Sequence, residues 1–415
     1  MDRIPYAAQV PPHDATQATL VARVFAPEAG GPCVAAVRGD TVVDLSHLEP
    51  TVADLLDRPD AVEIVRSAPG SRQWPLADLL RDTLARRTDT AHLLTPIDLQ
   101  VIKAAGVTFA RSMLERVVEE RAAGDPGRAE ALRATLTGLL GGAIQVRPGS
   151  AEATRVKQVL QAEGLWSQYL EVGIGPDPEI FTKAPVLSAV GTGAEIGVLA
   201  RSVWNNPEPE LVLAVTSTGR PVGATLGNDV NLRDFEGRSA LLLTEAKDNN
   251  ASCAVGPFLR LFDDRFGLDD ACTTEISLRV DGPDGYRLDA TSSVAEISRH
   301  PRDLIAHAHG PHHRYPDGFV LFTGTMFAPT TDRDAPGQGF THHPGDIVSI
   351  SSPRLGTLVN VVNTAEAAPD WTFGVRALMR NLAGRGLLPS GPVRDRSDQA
   401  RPAVPDPAPA PATTT

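Results

Sequence analysis

Between about residues 20 and 46 the runs TLVARVFAP and CVAAVRGDTVVDLS alternate apolar and polar positions and break at glycine, which predicts a small β unit with a turn at Gly39-Asp40. Residues 51–95 change period. In TVADLLDRPDAVEIVRS and PLADLLRDTLARR the apolar positions recur at helical spacing, with Asp and Thr near the starts. From Met113 to Ala122 the spacing is again helical, and Glu115 and Glu119 share the polar face at i,i+4. Asp125-Pro126 then reads as a cap with proline at the first helical position, opening a second helix through Leu140 and so a helical hairpin. From about 180 to 365 short apolar runs such as ELVLAVTS, TEISLRV, GFVLFTGTMF and GTLVNVV are punctuated by glycine and proline, the texture of a β-rich domain. An amphipathic segment, WTFGVRALMRNLA, ends at Gly384. The predicted class is mixed α+β and rich in strand.

Length and composition narrow the function. With 415 residues, 42% hydrophobic and 22% charged, the chain can bury a sizeable core. Residues 389–415 hold seven prolines and little to bury, which predicts a disordered tail. The net charge of -12 and the lack of a basic block argue against a phosphate backbone as partner, so no nucleic acid is expected. No stretch approaches the ~20 apolar residues of a membrane helix, and the start has no leader-like apolar core. Three widely spaced cysteines, Cys33, Cys253 and Cys272, suit a reducing compartment, and a cytoplasmic location is expected. Only four lysines occur, Lys103, Lys157, Lys183 and Lys247, against 35 arginines, so each lysine invites a reason.

The densest chemistry lies in WNNPEPE, running into the predicted strand LVLAVTS. Glu208 and Glu210, at i,i+2 on a strand, point to one face about 6–7 Å apart along the chain. A turn at Ser217–Pro221 would fold a hairpin that brings Asp229 close to opposite Glu210. Three converging carboxylates repel one another unless a cation sits between them, and an all-oxygen set suits Mg²⁺ before Mn²⁺ or Ca²⁺. The plain alternative is a set of solvated acids on an edge strand, which the prolines around Glu208 also fit.

These residues resemble the fumarylacetoacetate hydrolase superfamily. The resemblance rests on Glu208-Pro209-Glu210, Asp229 in GNDVNLRDFEG, Lys247 in AKDNNASCAVGPF, Phe322-Thr323-Gly324-Thr325, Phe181-Thr182-Lys183-Ala184-Pro185, Pro344-Gly345-Asp346 and Leu355-Gly356. It implies a fumarylacetoacetate-hydrolase-like catalytic domain at 98–388 behind a smaller N-terminal α/β domain at 1–97. It also implies a homodimer or homotetramer, and Mg²⁺, with Mn²⁺ a possible substitute, on Glu208, Glu210 and Asp229. Where many relatives carry a Tyr-Ala-x-His segment for a His-Glu dyad, this chain has Phe109-Ala110-Arg111-Ser112, with Glu115 at the glutamate position. The wording GVTFARSMLERVVEER and GNDVNLRDFEGRSALLL is most similar to the branch that dehydrates 2-keto-3-deoxy-pentonates.

The expected activity is therefore that of a Mg²⁺-dependent hydro-lyase converting a 2-keto-3-deoxy sugar acid to 2,5-dioxopentanoate. A C–C hydrolase of acylpyruvates or an oxaloacetate decarboxylase is the alternative. The resemblance suggests Glu115, Lys247 and Ser112 as catalytic residues, and Lys183, Thr325 and Gly324 as substrate-binding ones. Glu115 and Glu119 could equally form only the solvated face of a helix.

Overall fold

The computed structural model describes residues 4–140, 145–327 and 329–388; the segment expected to be a disordered tail lies outside them. The first third contains β1 (Leu20–Ala26), β2 (Gly31–Arg38), β3 (Thr41–Asp44), α1 (Val52–Asp57), α2 (Ala61–Ser67), β4 (Gln73–Pro75), α3 (Leu76–Leu84), β5 (His92–Leu93) and β6 (Val101–Gly106). Four helices follow, α4 (Ala110–Ala122), α5 (Pro126–Leu140), α6 (Ala151–Ala162) and α7 (Gln168–Ile174). Next come β7 (Glu179–Ala184), β8 (Glu195–Val198), β9 (Asn205–Asn206), β10 (Pro209–Val215), β11 (Pro221–Asp229), β12 (Asn231–Leu232), α8 (Arg233–Glu236), α9 (Leu243–Lys247) and β13 (Cys253–Leu261). The chain continues with α10 (Leu268–Cys272), β14 (Glu275–Asp281), β15 (Arg287–Ser293), α11 (Pro301–Ala308), β16 (Phe319–Phe322), β17 (Ile347–Ser352), β18 (Gly356–Thr364) and α12 (Val375–Gly384).

One sheet runs β4-β3-β2-β1-β13-β11-β10-β16-β6-β7, with β5 on β1, and a second runs β15-β14-β17-β18-β8. Alternation assigns the faces. Leu211, Leu213, Val215, Ala224 and Leu226 of the long sheet meet Leu278, Val280, Val348, Ile350 and Leu358 of the short one in a common core. Val212, Ala214 and Val255 face the other way, into a core completed by Val52, Leu55, Leu56 and Val65 of α1 and α2. The side chain of Thr51 caps α1 by accepting from the Asp54 N–H at 3.0 Å.

The strands of residues 1–97 and those of residues 98–388 share one sheet. Leu20 of β1 pairs with Arg260 of β13, so the sheet crosses the expected boundary at 97/98. The helical hairpin forms, starting three residues before Met113, and α6 and α7 add two helices that the periodicity reading did not assign. Ser150 and Ser167 cap them. Met113, Val117 and Val118 pack α4 against Leu160, Tyr169, Leu170 and Ile174.

Candidate metal centre and active site

The β10–β11 hairpin forms in the expected place with a different register. A bulge at Ala214/Val215 shifts the pairing, so Glu210 lies opposite Gly227. Glu208 lies opposite Asp229, whose N–H donates to the Glu208 carbonyl at 3.0 Å. The displacement from the expected register is two residues, an even number, so all three acids keep the same face. β10 is a central strand rather than an edge one, between β11 and β16. Pro209 stands at its first position, where a missing N–H is tolerated.

Oxygens of Glu208, Glu210 and Asp229 lie within 4.8 Å of one another, and the three residues are 3%, 1% and 2% exposed. Glu210 accepts the Gly324 N–H at 2.7 Å. Gly324 has φ +96°, and a Cβ there would stand 1.9 Å from the Thr108 hydroxyl, so this close donor requires glycine. Thr323 and Thr325 fasten the same loop to β10, their hydroxyls donating to the Leu211 carbonyl at 3.0 Å and the Pro209 carbonyl at 3.1 Å. Among the described residues, the Thr325 hydroxyl thus has backbone partners.

Lys247, at the end of α9, ion-pairs with Glu208 and reaches Asp229 at 3.1 Å. Its ammonium lies 5.9 Å from the centre of the Phe181 ring. Lys183 is fully buried, 2.8 Å from Asp229, and donates to the carbonyls of Val230 and Lys247. A bulge in the β6–β7 ladder explains its direction. Ile102 pairs with Ala184 and Lys103 with Thr182, so Lys183 is the extra residue turned out of the ladder toward the acids. Burial alone would favour a neutral Lys247 amine, but Asp229 and Glu208 hold it charged, above the ordinary lysine range. Burial would likewise raise Asp229, yet Lys183 and Lys247 hold it below the usual carboxylate range. Among the described residues no cation pairs with Glu210 directly. Burial, with Asp229 and Glu208 beside it, pushes its pKa far up.

Helix α4 closes this face. Arg116 ion-pairs with Glu208, with Glu119 at 2.7 Å and with Glu236 at 2.9 Å, while Arg233 holds Glu119 at 3.1 Å. Glu179 completes the group. Two positions from Phe181 on β7, it lies over Gly106, where a Cβ would stand 1.9 Å from its carboxylate. Burial, then the Glu236 carboxylate, pushes Glu179 up to about 7. Six acids (Glu119, Glu179, Glu208, Glu210, Asp229, Glu236) thus share the site with four cations (Arg116, Lys183, Arg233, Lys247), a formal excess of two carboxyl groups, matched by the upward shifts of Glu210 and Glu179. The all-oxygen triad fits a hard divalent cation. Beside the Thr325–Met326 loop lies a cavity of about 520 Å³, lined among others by Phe109, Ala110, Arg111, Ser298 and Met326.

Residues 172–363 match the family described as fumarylacetoacetate (FAA) hydrolase, C-terminal. That segment carries the family's C-terminal domain. The chain is 27% identical over 332 residues to the probable 2-keto-3-deoxyxylonate dehydratase of Haloferax volcanii, covering 79% of this chain and 94% of that protein. To the 2-dehydro-3-deoxy-D-arabinonate dehydratase of Saccharolobus solfataricus it is 30% identical over 185 residues, 45% of this chain and 58% of that one. The fold matches a 2-keto-3-deoxy-D-arabinonate dehydratase solved with magnesium and 2,5-dioxopentanoate, at a TM-score of 0.58 and 21% identity over 83% of this chain and 99% of that one. No helix among the described residues is long and apolar enough to cross a membrane.

Two of the residues expected to be catalytic lie outside these contacts. Arg133 of α5 grips both oxygens of Glu115, at 2.7 and 3.0 Å. The Ser112 hydroxyl donates to the Phe109 carbonyl at 3.0 Å, within its own helix turn. One turn on from Glu115, Glu119 is buried in the charge network rather than solvated. Sequence reasoning assigned no role to Arg116, Glu179 or Glu236. The i,i+3 pair Arg116–Glu119 and the i,i+2 pair Glu179–Phe181 are local patterns that could have marked the first two but not Glu236.

Proposed function

We propose that this protein is a Mg²⁺-dependent hydro-lyase that converts a 2-keto-3-deoxy-pentonate into 2,5-dioxopentanoate and water. The observation that carries the reading is the buried Glu208–Glu210–Asp229 triad, in a chain whose curated relatives are named dehydratases of such acids. Mg²⁺ bound by the three carboxylates would supply a Lewis-acid charge that polarises the carbonyl of a 2-keto acid. Mn²⁺ offers the same chemistry with the same ligands.

The chain's own groups supply the rest. Glu179, with a pKa of about 7, is the carboxylate best suited to take the C3 proton at neutral pH and return it to the departing C4 hydroxyl. The C3–H and C4–O bonds break, water leaves, and proton shifts along the remaining carbons yield the C5 aldehyde. Lys247, held charged, stabilises negative charge building at the substrate oxygens, and Lys183 positions Asp229. Arg116 ties α4 across the site and keeps water out, while Glu115 acts through Arg133 as a latch between α4 and α5.

The test is incubation with Mg²⁺ and 2-keto-3-deoxy-pentonates of both C4 configurations, and separately with acylpyruvates, with products identified by NMR. Formation of 2,5-dioxopentanoate is the expected result. Turnover of acylpyruvates alone overturns the reading.

A further inference from the structure

The β10–β11 ribbon continues past the metal triad without losing register. Glu210 stands opposite Gly227, Glu208 opposite Asp229, and one step further Asn206 of β9 pairs with Asn231 of β12. Residues 206, 208 and 210 on one side, and 227, 229 and 231 on the other, therefore share a face. Val230 and Leu232 confirm the alternation, since both lie in the core between the sheets, on the opposite face. Asn206 and Asn231 are 1% and 0% exposed.

Their amides are nevertheless short of partners. Asn206 donates to the Pro207 carbonyl at 2.9 Å, but its side-chain oxygen has no partner among the described residues, and neither does either polar atom of Asn231. Burying an amide without its hydrogen bonds is costly, and an apolar side chain of similar shape would avoid that cost. Two such amides side by side, one two-residue step of about 6–7 Å along the strands from the triad, mark a polar subsite rather than packing. That separation is on the scale that divides the carbonyl end of a five-carbon acid from its terminal carbon.

Resting on the hydro-lyase reading above, we propose that Asn206 and Asn231 form the subsite for the terminal C5 hydroxyl of the sugar acid. The hydroxyl donates to one amide oxygen and accepts from the Asn231 amide N–H. A site built for a hydroxyl discriminates strongly against an analogue lacking it, because the amides are then left unpaired. The probe is 4-hydroxy-2-oxopentanoate, which keeps the carboxylate, ketone and C4 hydroxyl but carries a methyl group in place of the hydroxymethyl group.

The experiment compares kcat/KM for water loss from 2-keto-3-deoxy-pentonate and from 4-hydroxy-2-oxopentanoate, with Mg²⁺, in the wild type and in Asn206→Leu and Asn231→Leu. The wild type is expected to favour the pentonate by roughly 10–100-fold. Each variant is expected to bring that ratio within about threefold, by losing rate on the pentonate. A wild-type ratio near one, which needs no variant to fold, overturns the subsite, as does a variant that keeps the wild-type preference. A wild type inactive on both acids overturns the hydro-lyase reading itself, and the subsite with it.

Discussion

Glu208 and Asp229 face one another across the β10–β11 ribbon, joined by a backbone hydrogen bond of 3.0 Å and by Lys247, whose ammonium pairs with both carboxylates. Lys183 adds its charge at Asp229 and Arg116 at Glu208, but among the described residues no cation pairs with Glu210. In the ligand-free protein the burden falls on Glu210, whose pKa burial and its two neighbours push far up. That direction favours the protonated carboxyl, so Mg²⁺ binding at the triad is expected to release protons. Mg²⁺ affinity should accordingly rise with pH and fall on acidification. Calorimetry in two buffers of different ionisation enthalpy should register proton release, and affinity independent of pH between 6 and 8 would refute the assignment. Glu208→Gln should lower Mg²⁺ affinity by at least tenfold.

Glu179 gives a second pH signature. Its ordinary carboxylate value is near 4.5, and its environment raises it to about 7. As a base it must be ionised, so kcat/KM should climb as pH rises through about 7. Glu179→Gln should lose that limb and fall by about 10²–10⁴-fold while still binding Mg²⁺. A variant that keeps both rate and limb would assign the proton transfer to another group.

The triad was legible in the sequence for a short-range reason. Glu208 and Glu210 need only strand alternation, and Asp229 needs one hairpin, whose two-residue register error is harmless because it preserves the face. Of the charges that surround the triad, the two lysines were singled out, whereas Arg116, Glu179 and Glu236 were not legible. Arg116 meets Glu208 across 92 positions, once the parallel pairing of β6 with β16 brings α4 over the sheet. Lys183 was singled out, but its direction depends on a bulge that no spacing rule announces. In the same way, the strands near the N-terminus were readable one by one. Their merger with the catalytic sheet depends on Leu20 meeting Arg260, a contact that local periodicity does not encode.

Gly324 tests the loop that serves Glu210. Its φ of +96° is left-handed backbone that favours glycine, and the Thr108 hydroxyl occupies the place of a side chain. Gly324→Ala should destabilise the protein by about 1–3 kcal/mol, with denaturant midpoint as the readout. It should also weaken Mg²⁺ binding, because the N–H that orients Glu210 moves with the loop. The companion variant Thr108→Ala/Gly324→Ala removes the clashing hydroxyl but keeps the backbone strain and the Ala105 carbonyl at 3.0 Å, and loses the 2.7 Å hydrogen bond from Thr108 to the Thr323 carbonyl, so it should recover at most part of the loss. Full recovery would show that φ is unimportant here.

Lys183 separates positioning from catalysis. Its ammonium is fully buried and lies 2.8 Å from Asp229, so Lys183→Met leaves a buried carboxylate with Lys247 as its remaining cation. Removing one partner of a buried pair costs about 3–5 kcal/mol. Mg²⁺ binding to the triad restores positive charge at Asp229, so the penalty should shrink when the ion is bound. The variant should melt well below the wild type without Mg²⁺ and show a larger rise in Tm than the wild type when Mg²⁺ is added. If Lys183 instead served only the substrate, the ligand-free variant would melt like the wild type, and the two Mg²⁺ shifts would be equal.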